Sequence, residues 1–269
     1  MHGKRILTAA VLGPLVFAVL WWGGAGLFGL FLLTASAICL YEYFTLCFQG
    51  VRYVLIPGVV TGLLPVFSAF FWKTPGSLVS GCYGALLCST VFFIFSYRSW
   101  QNALEKWTVF FMGAAYVGFC AAHMVLMREM PGGREWILFL LVTVFSGDAG
   151  AYYVGKGIGR RKLCPALSSG KTVEGAVGGV LLNLAAALVL WSVLFRHLDL
   201  RLLLFLAVAM GIVGQAGDLA ESIIKRSAGI KDSGTLLPGH GGIFDRVDAV
   251  LLAAPLLYWG LKLAGLEQG

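Results

Sequence analysis

The sequence predicts an all-α, polytopic integral membrane protein with about nine transmembrane helices. Of its 269 residues, 59% are hydrophobic and only 12% are charged, and the mean hydropathy of +0.85 exceeds what a soluble core requires. The apolar residues fall in runs of about 18 to 25, the length that crosses a bilayer as helix. Lysine and arginine punctuate these runs unevenly, as loops on two different sides of a membrane require.

In chain order, the first span covers 6 to 22. It follows His2, Lys4 and Arg5 as a secretory signal would, but Trp21, Trp22 and two glycines stand where a small-residue cleavage pattern would be, so it is expected to remain a helix. Span two, 25 to 47, carries an acid-aromatic pair, Glu42-Tyr43. Arg52 separates it from span three, 54 to 72, and Lys73 separates span three from span four, 78 to 96. Span five, 107 to 127, follows Arg98 and Lys106 and contains His123. Span six, 136 to 154, ends in a polar stretch holding Asp148, and the basic loop after it leads to span seven, 176 to 195. Span eight, 202 to 220, and span nine, 247 to 264, enclose the most polar segment of the chain.

With the N-terminus inside, 14 of the 20 Lys and Arg fall on the cytoplasmic side and six on the other. The formal charge of +7 is therefore first a topology signal, and only second an attraction to anionic lipids or phosphates. The expected placement is the inner (plasma) membrane, with the N-terminus cytoplasmic and the C-terminus opposite. No nucleic-acid partner is expected. Five of the six cysteines lie in apolar spans and none has metal-ligand spacing, which points to packing without disulfides or zinc. The 36 glycines suit closely packed membrane helices. With no repeat or linker, the chain reads as a single transmembrane domain, 1–269, with N-terminal helices in 1–135 and a chemically loaded half in 136–269.

Three polar constellations lie in that half, all on the expected cytoplasmic side. Asp148, at the end of span six, is costly at such depth unless it faces a polar cavity or a partner. The loop from Gly155 to Gly175 has glycines, hydroxyls at Ser168, Ser169 and Thr172, and five basic side chains just before a helix start. It is neither a Walker A loop, because Pro165 stands where a glycine is needed, nor a Rossmann turn. Such a helix start can hold a phosphate, although Arg160, Arg161 and Lys162 also serve as plain orienting charge. In the third constellation, Asp218, Glu221, Ser222 and Lys225 share one face of a helix continuing from span eight. Asp245 and Asp248 stand three apart at the start of span nine. Two helix ends could aim Asp218 and Asp245 into one pocket, where facing carboxylates need a cation between them. Oxygen ligands of this kind suit magnesium with substrate phosphate. The plain alternative is an acid-base network that pins two helices.

The pattern Ser222-x-x-Lys225-Arg226, Lys231-Asp-x-Gly, then Leu237-Pro-Gly-His240-Gly-Gly-Ile-Phe-Asp245-Arg246-Val-Asp248 resembles the signature of the phosphatidate cytidylyltransferases, or CDP-diacylglycerol synthases. Gly217-Asp-Leu-x-Glu-Ser222, Asp148-x-x-Ala-Tyr-x-x-Gly-Lys156 and Ser168-x-x-Lys171-Thr172-x-Glu-Gly175 extend the likeness over about 145 to 250. One departure is Ser169, where the family commonly has proline, which bears on loop rigidity. The resemblance implies that CTP and phosphatidic acid give CDP-diacylglycerol and pyrophosphate, with Mg2+ and with a second divalent or monovalent cation left open. It implies Asp218, Asp245 and Lys225 as catalytic residues, with Asp218 and Asp245 as metal ligands and Asp248 as a further ligand or supporting acid. Lys171, Lys225 and Arg226 would contact phosphate. Asp148, Ser168, Thr172, Glu221, Ser222, His240 and Arg246 would line the substrate pocket. The absence of a Ser/His/Asp or Cys/His arrangement fits, since the attacking lipid phosphate is already largely dianionic at neutral pH. A transporter would instead need polar residues near midplane in corresponding halves, and the first five spans offer little beyond Glu42 and His123. The site is expected at the cytoplasmic ends of spans six, eight and nine, open to water and to the inner leaflet, with Tyr152 and Tyr153 as interfacial anchors. A homodimer is expected from helix packing in lipid.

Overall fold

The computed structural model describes residues 13–230 and 242–266. The chain divides into two compact units, one formed by Met1–Glu129 with Ala228–Arg246 and the other by Met130–Ser227 with Val247–Gly269. Among the described residues, seven helices are long and apolar enough to cross a membrane, and they coincide with spans two to eight. The fold is thus that of a helical polytopic membrane protein.

In the first unit, helix α1 is described over 13–21. It is followed by α2 (Ala25–Cys47), α3 (Leu55–Trp72), α4 (Gly76–Ser96), α5 (Ala103–Gly113) and α6 (Cys120–Glu129). A π-helical stretch, Ala114–Phe119, joins α5 and α6 into one span, where the sequence alone suggests a plain helix. Its wider turn displaces side chains from the regular α-helical positions. The core of this unit is aromatic: Phe110 meets Phe44 at 5.1 Å, Phe92 at 5.2 Å and Phe93 at 5.5 Å between ring centroids. Such rings pack edge-on or offset and fill space between helices that the hydrophobic effect does not hold together in lipid.

The second unit contains α7 (Gly133–Ile158), a hairpin of β1 (Lys162–Cys164) and β2 (Ser168–Thr172), α8 (Val173–Val193) and α9 (Leu200–Ser227). Helix α10 (Phe244–Leu263) starts in the first unit and continues in the second. It matches span nine, but Asp245, Arg246, Asp248 and Lys262 leave at least three charged side chains in any 18 consecutive residues of it, which sets it apart from the other seven. Helices α7 and α8 pack tightly because glycine leaves room: a Cβ on Gly150 would come within 2.8 Å of the Gly178 carbonyl oxygen.

Two expectations are corrected here. The segment after span six, read from the sequence as a loop, holds a short hairpin within an otherwise helical chain. Strands β1 and β2 pair antiparallel, with Lys162 opposite Thr172 and Cys164 opposite Ser168. A segment too short for a helix satisfies its backbone groups by pairing with itself. Helix α7 also runs on to Ile158, so Asp148 stands ten residues from its end, about 15 Å along the axis. The glycines and Lys156 that suggest a loop belong to its last turns.

Candidate active site

The second strand of the hairpin and the start of α8 are built by the Ser168-x-x-Lys-Thr-x-Glu-Gly motif. Thr172 is the N-cap of α8, and its hydroxyl accepts from the Gly175 N–H at 3.1 Å. The Glu174 carboxylate accepts from the backbone N–H of Arg160 at 3.0 Å and of Arg161 at 3.1 Å, while Val173 N donates to Arg161 O at 2.9 Å. The far end is tied to α9, since Arg226 Nε donates to Leu167 O at 3.3 Å. With both ends held, Lys171 projects from β2 and its Nζ meets Asp218 Oδ2 at 2.7 Å.

Helix α9 continues unbroken past the apolar stretch to Ser227, as the spacing predicts, and presents Asp218, Glu221 and Lys225 on one face. Lys225 Nζ pairs with Glu221 Oε2 at 2.7 Å, and the Glu221 side chain is only 2% exposed. Helix α10 supplies the third acid. Gly217 makes the close approach possible, because a Cβ there would come within 2.6 Å of the Asp248 carbonyl oxygen. Asp218, Glu221 and Asp248 consequently offer carboxylate oxygens that all lie within 4.8 Å of one another. Asp248 is 7% exposed, and it feels the charges of Asp218, Asp148 and Lys225.

Three carboxylates against two lysines leave one net negative charge in this cluster. Like charges at this spacing repel strongly where water is scarce, so the arrangement favours a cation. The fit to a divalent ion is good. Opposite ligands of octahedral magnesium stand about 4.2 Å apart, within small side-chain movements of the separation here. Oxygen donors alone suit magnesium over softer metals.

The structure thus brings together Asp218, Glu221, Asp248, Lys171 and Lys225, with Asp148 within electrostatic reach of Asp248. Glu221, expected to line the substrate pocket, stands in the acidic cluster. Asp245 is not: its Oδ2 accepts from Gly242 N at 3.3 Å, in the first turn of α10. Ser168 and Ser222 are half-buried, Arg226 and Arg246 are exposed, and His240 lies outside the described residues. Tyr152 and Tyr153 are exposed on α7, and Lys156 covers the Tyr152 ring at 5.9 Å. Sequence reasoning missed Glu174 as the clasp of the hairpin. The available signal was an acid in the first turn after a threonine cap, where N–H groups are free.

The sequence profile of the Cytidylyltransferase family matches residues 3–264. Among curated proteins, the chain is 39% identical to a phosphatidate cytidylyltransferase of Brucella suis over 94% of this chain and 91% of that one. It is 35% identical to the namesake of Staphylococcus saprophyticus, over 94% and 96%. With that of Bacillus subtilis it shares 33% over 97% of each. A match that runs through the hairpin, the acidic face of α9 and the start of α10 leaves no part of the site outside it, and the chain belongs to the cytidylyltransferase family.

Proposed function

We propose that this protein transfers the cytidylyl group of CTP to phosphatidic acid, giving CDP-diacylglycerol and pyrophosphate for phospholipid synthesis. The observation that carries the reading is the cluster of three acids and two lysines on α9, α10 and the hairpin, in a chain whose relatives bear the name of that activity.

A phosphate oxygen of phosphatidic acid attacks the α-phosphorus of CTP. The bond to the oxygen that bridges the α- and β-phosphates breaks, and pyrophosphate leaves. The attacking monoester has a second pKa near 6, so it arrives as a nucleophile and no side chain must take its proton. The task left to the protein is to bring two anions together in line and to balance the charge that shifts onto the leaving group. Asp218, Glu221 and Asp248 would hold Mg2+, with Asp245 on the same helix and a second cation left open. When bound, that ion would neutralise charge on the transferring and leaving phosphates. Lys171 and Lys225 hold their acids in place before substrate arrives and then turn toward phosphate oxygens, exchanging one anion for another. Arg226 and Arg246, exposed at the ends of their helices, attract the polyanion, and Asp148, Ser168, Thr172, Ser222 and His240 shape its pocket.

The setting follows from the substrates, one anchored in lipid and one dissolved in water. We place the site at the cytoplasmic ends of nine spans, in the inner membrane of a bacterial cell, with the C-terminus on the far side. A homodimer is the assembly expected from helix packing in lipid. The test uses purified protein with CTP labelled at the α-phosphate and phosphatidic acid, with and without magnesium. Label entering the lipid phase only with both substrates and the metal is expected. Label that stays in water, with the protein folded, overturns the reading.

A further inference from the structure

Glu42 is 5% exposed within the apolar helix α2, and none of the chemistry above uses it. Its two oxygens take separate backbone donors: Oε1 accepts from Ile243 N at 3.1 Å and Oε2 from Phe244 N at 2.8 Å. These donors open α10, where a helix has N–H groups with no partner of its own. A carboxylate there also meets the positive end of the helix dipole. The neighbouring side chain is gripped as well. Phe244 is fully buried, edge-on to the Tyr43 ring at 6.1 Å and to the Tyr116 ring at 5.8 Å. Tyr43 is itself fixed by its hydroxyl, which donates to Val109 O at 2.7 Å, and Tyr116 projects from the π-helical stretch.

An acid buried in an apolar helix is expensive unless it has work. Here the work is mechanical: backbone and side chain of the first turn of α10 are both held. Asp248 stands about one turn further along the same helix, so a first turn held in helical form keeps the turn that carries Asp248 from fraying. The carboxylates of a metal site must be placed to within about 0.5 Å to bind well.

We propose that Glu42 is a positioning residue for the acidic cluster: by capping α10 it keeps the helical turn that carries Asp248 formed, and thereby sets the affinity for a divalent cation. The proposal rests on reading the cluster as a metal site. Full-length protein in detergent can be tested with Mn2+ as the probe, bound ion being followed by electron paramagnetic resonance and the first turn of α10 by amide hydrogen exchange. Glu42→Ala is expected to speed exchange at 243 and 244 and to weaken Mn2+ binding about five- to tenfold, the equivalent of losing a good cap. Glu42→Gln keeps the length and one carbonyl oxygen, and should weaken binding about threefold. Ser68→Ala is the control. It removes a buried hydrogen bond to Ser77 O of 2.7 Å in the same unit and should leave Mn2+ binding unchanged.

Faster exchange with unchanged Mn2+ affinity in Glu42→Ala would sink the proposal, leaving Glu42 as a cap and nothing more. If Glu42→Ala does not fold, Glu42→Gln decides, and wild-type affinity there overturns it. Wild-type protein that binds no Mn2+ removes the metal reading itself, and the positioning role with it. Binding that is lost in Asp248→Asn but intact in both Glu42 variants overturns the positioning role alone.

Discussion

In the first unit, several buried polar side chains end on backbone. Ser68 donates to Ser77 O, Tyr43 to Val109 O, the His123 ring meets Phe119 O, and Glu42 receives the N–H groups of Ile243 and Phe244. In the second unit the decisive pairs join side chain to side chain, Lys171 with Asp218 and Lys225 with Glu221. Both solutions satisfy polar groups in an apolar chain, but they differ in what can displace them. A bond to backbone is broken only by moving a helix. An ion pair can be traded for another ion, a phosphate at the lysine and a cation at the acid, with no change of fold. The first unit therefore reads as scaffold and the second as chemistry, although both are built from apolar helices of similar length.

Removing a member of the exchangeable set should produce the largest effect. Asp218→Asn keeps the shape but loses a negative charge from the cluster, and turnover is expected to fall by about two to three orders of magnitude while the protein stays inserted. Near-normal activity would make Asp218 a packing acid and erase the contrast between the units. Lys171→Ala comes next, with a loss of about a hundredfold. A phosphate-contacting lysine acts on charge developed in the transition state, so added magnesium should not restore the rate. Kinetics against magnesium should show a lowered plateau with an unshifted midpoint. A normal plateau would return Lys171 to the role of orienting charge.

A smaller effect sharpens the comparison from the packing side. Gly217→Ala must push α10 away from α9, because the added methyl meets the Asp248 carbonyl oxygen. Overpacking of this kind costs about 1–3 kcal/mol. The variant should melt earlier and require more magnesium for half-activation, a midpoint shift that the lysine variant does not show. An unchanged midpoint would mean that the cluster tolerates separation of the two helices.

Much of the fold was legible because lipid sets a length. The expected span 25–47 is the observed α2, and Asp218, Glu221 and Lys225 could be placed on one helix face from spacing alone. The hairpin was not legible, because outside the bilayer the hydropathy signal stops and strands of three and five residues carry little pattern of their own. The glycines around Lys156 hid the end of α7; a Cβ on Gly155 would meet the Thr172 hydroxyl at 3.0 Å, so close packing and no turn is its use, while Gly157 faces open space inside the helix. Glu42 was visible as an acid in an apolar helix, but its partners lie 201 and 202 residues away, and no local rule connects them. The place of Glu221 beside Asp248 was hidden for the same reason: i, i+3 spacing shows which residues share a face and not what the face meets.

The central claim is that Asp218, Glu221 and Asp248 form one site serving cytidylyl transfer. Transfer of α-labelled cytidylyl into lipid by Asp248→Asn, measured across a wide range of magnesium with folding checked in the same preparation, tests it most directly. The account predicts a loss of about two to three orders of magnitude that magnesium does not restore to the wild-type plateau. Wild-type transfer at ordinary magnesium would contradict it.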